Sequence, residues 1–178
     1  MNDGLAVSIR RATAADAPCL NRIRAESSVR RYQPIHQHTL ERMTSILARR
    51  ESLPLNRDLD GKVQWVIECD GACAGWVALD VTSREHGIAS VGYSVSEAFR
   101  GRGLATGAVK RVIEIAFDPD GLALDRLEAN AAVENVASRR VLIKAGFREE
   151  GIAEGLLVIG GVRVDHVRFG LVRSSLKA

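Results

Sequence analysis

The sequence predicts an α/β domain built on one mixed sheet. Three observations predict it. β-rich runs and helix-periodic runs follow one another in the order β α α β β β α β α β β. Two tight-turn signals, Asp70-Gly71 and Gly160-Gly161, each stand between two β-rich runs. No repeat, low-complexity tract or linker interrupts the 178 residues, so residues 1–178 are expected to form a single domain with its core at about 7–172.

The elements follow in order. "LAVSIRRA" (5–12) alternates enough for a first strand. "TAAD" (13–16) is a capping box that opens a helix to about Val29. "RRYQPIHQH" (30–38) is a loop broken by Pro34, and a second helix is expected from Thr39 to Glu51. Residues 52–61 connect to a hairpin over 62–81, and "IASVGYSVSE" (88–97) is the next strand. A helix then runs to about Phe117, its apolar face made of Ala105, Ala108, Val109, Val112, Ile113 and Ala116. "DPDG" (118–121) stops it. "LDRLEANAA" (124–132) is a strand. "ENVASRRVLIKAGF" (134–147) is a short helix with Gly146 as its C-terminal cap and Ala137, Val141, Leu142 and Ala145 as its apolar face. Residues 148–172 form the last hairpin, whose apolar strands could pair between two copies in a homodimer.

Composition bounds the function. Aromatics make up 4% of the chain, so aliphatic side chains must build most of the core. A net charge of +3, dispersed along the chain, gives no nucleic-acid footprint. Neither a signal pattern nor a membrane-length apolar run is present, which makes the cytoplasm the expected compartment. Cys19, Cys69 and Cys73 are expected to be buried or strand cysteines, without a disulfide framework, and no metal-ligand cluster accompanies them.

The stretch "FRGRGLATGAVKR" (99–111) carries the chemistry. The first N–H groups of a helix lack partners and that end is partly positive, so Ser, Thr, Asp or Asn normally caps it. Here Arg100, Gly101, Arg102 and Gly103 stand instead, with no acid following. A phosphate from outside would satisfy both the amides of Gly101 to Thr106 and the two guanidinium forks. The loop is not a Walker A sequence. Gly101, Gly103 and Gly107 miss the dinucleotide fingerprint by one position, although Glu128 stands where a ribose-binding acid would, which keeps a nicotinamide oxidoreductase as a weaker reading.

Arg100, Gly103 and Ala105 match an acetyl-CoA signature of the Arg/Gln-x-x-Gly-x-Gly/Ala kind, and "NVASRRVLIKAGF" (135–147) supplies Asn135, Ser138, Lys144, Gly146 and Phe147 in a second pattern. Together with "VGYSV" (91–95), they make the chain resemble the GCN5-related N-acetyltransferase (GNAT) superfamily, in particular its ribosomal-protein-alanine acetyltransferase-like (RimJ/RimL-like) branch. The resemblance implies a splayed central strand pair, ending near Val95 and passing near Leu127, into which the pantetheine arm of acetyl-CoA inserts. It implies that the backbone of Tyr93 and Val95 bonds that arm. It implies that Arg102, Gly103, Leu104, Ala105 and Thr106 take the pyrophosphate, that Asn135 contacts the arm and that Ser138 approaches the sulfur.

Asn135 also reads as a plain N-cap and Ser138 as an inert first-turn serine. The implied reaction is acetyl transfer from acetyl-CoA to a primary amine. An α-amine is about a tenth neutral at pH 7 and a lysine well under a thousandth, so a site with a weak base suits a protein N-terminus or another α-amine. A backbone N–H near Val95 would polarise the carbonyl. Glu128 is the candidate base, ahead of Glu97, His86 and Glu68, with ordered water as an alternative. His36 and His38 fall in the loop that, by the resemblance, walls the acceptor, and they read as surface residues; Asp165 and His166 read as structural because strand neighbours face opposite sides. Acceptor contacts are expected from loops 30–38, 82–87 and 155–162. A non-catalytic CoA-binding module is the other reading to separate.

Overall fold

The computed structural model describes residues 7–176. Seven strands form one sheet in the order β1-β2-β3-β4-β5-β7-β6. They are β1 (Ser8–Arg11), β2 (Gly61–Cys69), β3 (Ala72–Ser83), β4 (Ile88–Val95), β5 (Arg126–Ala132), β6 (Arg148–Ile159) and β7 (Val162–Val172). The helices are α1 (Ala17–Ala25), α2 (Ser27–Arg30), α3 (Leu40–Glu51), α4 (Leu104–Phe117) and α5 (Val136–Ala145). Leu5 and Ala6, expected in the first strand, lie outside the described residues.

All neighbouring strands are antiparallel except β4 and β5. That parallel pair holds for only three positions, Ile88 with Arg126, Ala89 with Leu127 and Ser90 with Glu128. Beyond Ser90 the two strands part, and the sheet opens at its centre. Both hairpins form as expected. Asp70 and Gly71 have φ of 52° and 74°, the left-handed pair that a two-residue turn needs to follow strand twist.

Strand alternation sends side chains to two faces. Trp65, Ile67, Val77, Leu79, Val91, Leu127 and Phe169 face α4 and α5, where Val109, Val112 and Leu142 complete the main core. The opposite face is smaller. There Val66 and Trp76 meet Leu20 of α1 and Met43 and Leu47 of α3. Truncating one such fully buried leucine to alanine typically costs about 2–5 kcal/mol. On α4, Leu104 takes a core position, and Ala105, expected on the apolar stripe, is half-buried at the rim of a cavity. Ala137 on α5 is likewise exposed.

The helix expected over 13–29 is divided. Thr13 and Asp16 form the capping box, a 3-10 turn (Ala14–Asp16) follows, and α1 ends at Ala25 because Glu26 is extended, with ψ of 130°. The Glu26 carboxylate leaves the helix to accept from Ser96 Oγ at 2.6 Å and from the Glu97 N–H at 2.9 Å.

The cysteine expectation also needs correction. Cys19 and Cys73 form a disulfide across 54 residues, with Cα atoms 6.7 Å apart. The hairpin register sets Cys69 opposite Ala72 and Cys73 opposite Glu68, so the two strand cysteines face opposite sides. Cys69 is buried in the main core, and Cys73 packs beneath α1. Among the described residues, no helix is long and apolar enough to cross a membrane.

Asp16 ties β1 to the first turn. Its carboxylate accepts from Arg10 Nη1 and Nη2 at 2.8 and 2.7 Å and from the Thr13 N–H at 2.8 Å. The Arg10 fork, opposed by burial and aided by Thr13, holds the Asp16 carboxyl below the usual carboxylate range. Asp16→Asn should therefore cost about 2 kcal/mol at pH 7. Because the native pKa is depressed, the advantage of the carboxylate is complete above about pH 4 and fades as pH falls through the native value. Urea unfolding of both proteins at pH 7 and pH 3 checks this, and an equal gap at the two pH values would contradict it.

Candidate active site

The loop after β4 builds one wall. The chain leaves Val95 through a 3-10 turn (Glu97–Phe99), which Glu26 fastens from α1's end. Gly101 and Gly103 then take φ of 77° and 78°. A residue with a Cβ pays roughly 1–2 kcal/mol for that conformation. Gly103 is the N-cap of α4, offers no side chain, and no acid follows in the first turn. The Gly107 N–H reaches the Gly103 carbonyl at 3.0 Å, but among the described residues no protein acceptor meets the N–H groups of residues 101–106. Of these unpartnered amides at the helix N-terminus, those of Gly101 and of Gly103, Leu104, Ala105 and Thr106 belong to residues that border a cavity of about 430 Å³.

The opened edge of β4 forms the floor. The Ser96 N–H donates to the Ala74 carbonyl at 2.8 Å, and Ser94 pairs with Trp76. Backbone groups alternate along an antiparallel pair, so Tyr93 and Val95 turn theirs to the gap beside β5. Their carbonyls already have donors, Gln33 Nε2 at 2.9 Å on Tyr93 and Arg100 Nε at 3.2 Å on Val95. The N–H groups of Tyr93 and Val95, directed at the gap, are left for a ligand.

Helix α5 supplies the third wall. Asn135 Oδ1 caps it by accepting from the Ser138 N–H at 3.1 Å. The Asn135 amide nitrogen has no partner among the described residues and belongs to a residue lining the cavity. Ser138 Oγ lies 2.8 Å from Tyr93 Oη, and the Tyr93 hydroxyl also reaches the Ser138 carbonyl at 3.0 Å. Burial pushes the Tyr93 phenol up to about 12, against an opposing pull from the Ser138 hydrogen bond. Tyr93 is therefore a neutral donor at neutral pH.

Not every expected residue converges here. Arg100 lines the cavity, but the Arg102 guanidinium lies 5.5 Å from the Phe99 ring centroid and 3.9 Å from Cys69 Sγ, outside the cavity lining. This corrects the expectation that both forks face a phosphate: only the backbone of Arg102 stays in the loop. Glu128 is not part of this lining either. It alternates with the core residues Leu127 and Ala129 and so projects from the opposite face, bonded to Arg126 Nε at 2.9 Å. Glu68 is held by Arg10 at 2.8 Å. His166 is buried with Nδ1 2.9 Å from the Val164 carbonyl, and Asp165 accepts from the Gly155 N–H at 2.7 Å, so these two serve separate contacts. Among the described residues, no carboxylate or imidazole lines the cavity.

Three participants escaped the sequence reading. The hydroxyl of Tyr93 was legible in principle, because alternation with Val91 and Val95 puts its side chain on the face that α5 covers. Gln33 and Glu26 carried no local signal.

A family model described as "Acetyltransferase (GNAT) domain" matches residues 7–148. The Bacillus subtilis (strain 168) protein named "Probable N-acetyltransferase YjcK" is 45% identical over 78 residues, which span 44% of this chain and 42% of that protein. The Escherichia coli (strain K12) L-amino acid N-acetyltransferase AaaT is 30% identical over 110 residues, spanning 61% of this chain and 67% of that protein. Mycobacterium smegmatis RimJ, solved in complex with CoA-disulfide, superposes with a TM-score of 0.79 at 27% identity, covering 97% of this chain and 84% of that one. An uncapped glycine-started helix beside a sheet that opens at β4 and β5, matched over most of its length by that family model, has one consistent reading: the chain belongs to the GNAT acetyltransferase domain family.

Proposed function

We propose that the chain moves the acetyl group of acetyl-CoA to a primary amine. One observation carries this reading: the unpartnered amides of Gly101 and of residues 103–106 and the Tyr93–Ser138 hydroxyl pair share a single cavity at the sheet's opening. The amides and Arg100 take the diphosphate of acetyl-CoA. The Asn135 amide nitrogen and the edge of β4 hold its arm. The Val95 N–H donates to the thioester oxygen as negative charge develops there.

The amine nitrogen bonds to the carbonyl carbon and the carbon–sulfur bond breaks. The departing sulfur takes a proton from Ser138, Tyr93 returns one to Ser138, and water reprotonates the Tyr93 phenolate as the amine proton is released to solvent. A thiol with a pKa near 8.5 needs only this modest help. The amine proton leaves through water, or to Glu128 on the other face of the sheet once its carboxylate parts from Arg126. Without an acid or imidazole in the cavity, an amine of pKa near 8 suits the site better than a lysine. A protein N-terminal α-amine and a small-molecule amine both meet that condition.

Thiol release from acetyl-CoA, followed against a panel of amines and N-terminal peptides, tests the proposal. Amine-dependent release that rises with pH through the acceptor's pKa is expected. Stabilisation by CoA without turnover would make the chain a CoA-binding module. A larger thermal shift with NAD or NADP than with CoA would return it to the nicotinamide reading.

A further inference from the structure

A second cavity, of about 250 Å³, opens on the other face of the sheet. The two cavities abut along β4, where Val91 and Gly92 line one and Tyr93 and Ser94 line the other. Asn130, beyond the last β5 position that pairs with β4, lines the second cavity, which therefore sits over the same opening. A molecule entering from this side meets the thioester across the gap.

Its charge is one-sided. Arg24 from α1, Arg50 from α3 and Lys62 from β2 line it, and among the described residues no acidic one does. Arg24 Nη2 donates to the His36 carbonyl at 3.1 Å, and Arg50 Nη1 donates to Gln64 Oε1. The Nε atoms of both arginines and Trp76 Nε1 are buried without a hydrogen-bond partner among the described residues. Buried donors are nearly always satisfied, and each one left bare costs about 1–3 kcal/mol. Burial lowers the pKa of both guanidinium groups, and for Arg50 the charge of Arg24 adds to this. The acids nearby are occupied: Asp80, whose charge supports Arg50, is bonded to Lys62 at 2.8 Å, and Glu128 is bonded to Arg126. His38, which faces Arg24 and Arg50, has its pKa lowered by burial and by those cations. It adds no anion.

We infer that this cavity receives an oxyanion carried by the acceptor, so that the enzyme acetylates small amines bearing a carboxylate or a phosphoryl group. An oxyanion presents several acceptor lone pairs to the guanidinium groups of Arg24 and Arg50, whose residues line the cavity. A polyamine would bring positive charge to two arginines that no carboxylate bonds among the described residues and to a lysine whose partner Asp80 is already occupied. The volume suits a molecule of amino-acid size rather than a folded chain terminus. The inference rests on the proposed transfer, which fixes what enters from this face.

Paired acceptors test it. An amino acid is compared with its amide, O-phosphoethanolamine with ethanolamine, and spermidine serves as the cationic control. The acid-bearing member of one pair is expected to exceed its neutral partner in kcat/KM by about 100-fold, since an unmatched charged site discriminates strongly. Which pair responds identifies the oxyanion. Arg24→Gln and Arg50→Gln should each raise KM for that acceptor at least about tenfold, leaving acetyl-CoA affinity unchanged. If Arg50→Gln does not fold, Arg24→Gln alone decides. Equal rates within both pairs, a preference for spermidine, or an unmoved KM in Arg24→Gln overturns the inference.

A binding readout separates it from the transfer itself. With CoA saturating, inorganic phosphate should raise the melting temperature of the native chain and not that of Arg24→Gln. If that shift is present and no amine releases thiol, the anion site stands and acetyl transfer falls.

Discussion

Placing an aspartate at residue 105 should reduce acetyl-CoA affinity by about 100-fold or more, while the unliganded protein keeps its stability or gains about 0.5 kcal/mol. The two effects have opposite signs for one reason. Ala105 is the second residue of α4, beside amides that no protein group meets. A carboxylate there complements the helix N-terminus of the empty protein, an effect worth about 0.3–1 kcal/mol. The same carboxylate occupies the space and field meant for a diphosphate. Two like charges 4 Å apart near a protein surface repel by about 4 kcal/mol, more than a 100-fold loss requires. Calorimetric titration with acetyl-CoA and urea unfolding of the unliganded protein measure the two halves separately. Unchanged affinity would mean that the diphosphate binds elsewhere. A loss of both affinity and stability would mean only that the helix start was damaged.

The two arginines should part company in the same assay. Arg100 lines the cavity, whereas the Arg102 guanidinium rests over Phe99. Arg100→Glu is therefore expected to weaken binding more than Arg102→Glu. The sequence places both charges in the loop but cannot orient them, because the Arg102 guanidinium settles between Phe99 of its own loop and Cys69, which the sheet brings alongside.

What could be read along the chain was local. The hairpins followed from Asp70-Gly71 and Gly160-Gly161, the start of α4 from the missing cap, and the end of α5 from Gly146, whose φ is 104°. Each depends on a few consecutive residues. What escaped depends on contacts between distant ones. Glu26 looks like another helical residue until Ser96 and Glu97 arrive as its partners, and only then does the helix break. Cys19 and Cys73 face each other because α1 lies on β3, which no spacing of three cysteines reveals. Arg24, Arg50 and Lys62 come from three elements, and read singly each is an ordinary surface cation. Their shared cavity exists only after α1 and α3 cover the second face of the sheet.

The Tyr93–Ser138 pair shows the same division, and its removal should have the largest effect on turnover. Ser138 is placed by the start of α5 and Tyr93 by the alternation of β4, and their oxygens meet at 2.8 Å. If they act as one proton source for the leaving sulfur, Tyr93→Phe and Ser138→Ala should each lower kcat by about 100-fold. The double variant should then lose little more than the worse single one, because groups that act as a unit are not additive. Loss of packing alone would give two independent losses that multiply. A second readout separates chemistry from structure. An acetyl thioester whose thiol is more acidic than CoA should restore much of the lost rate in both variants, since a better leaving group needs no proton. Because burial holds the Tyr93 phenol near 12, it stays protonated from pH 6 to 9 and adds no step of its own to the rate profile there. Any rise across that range belongs to the acceptor amine, and it should survive in Tyr93→Phe at a lower amplitude. A profile that flattens in that variant would instead assign the titrating group to the phenol, and the proton would have to travel by another route.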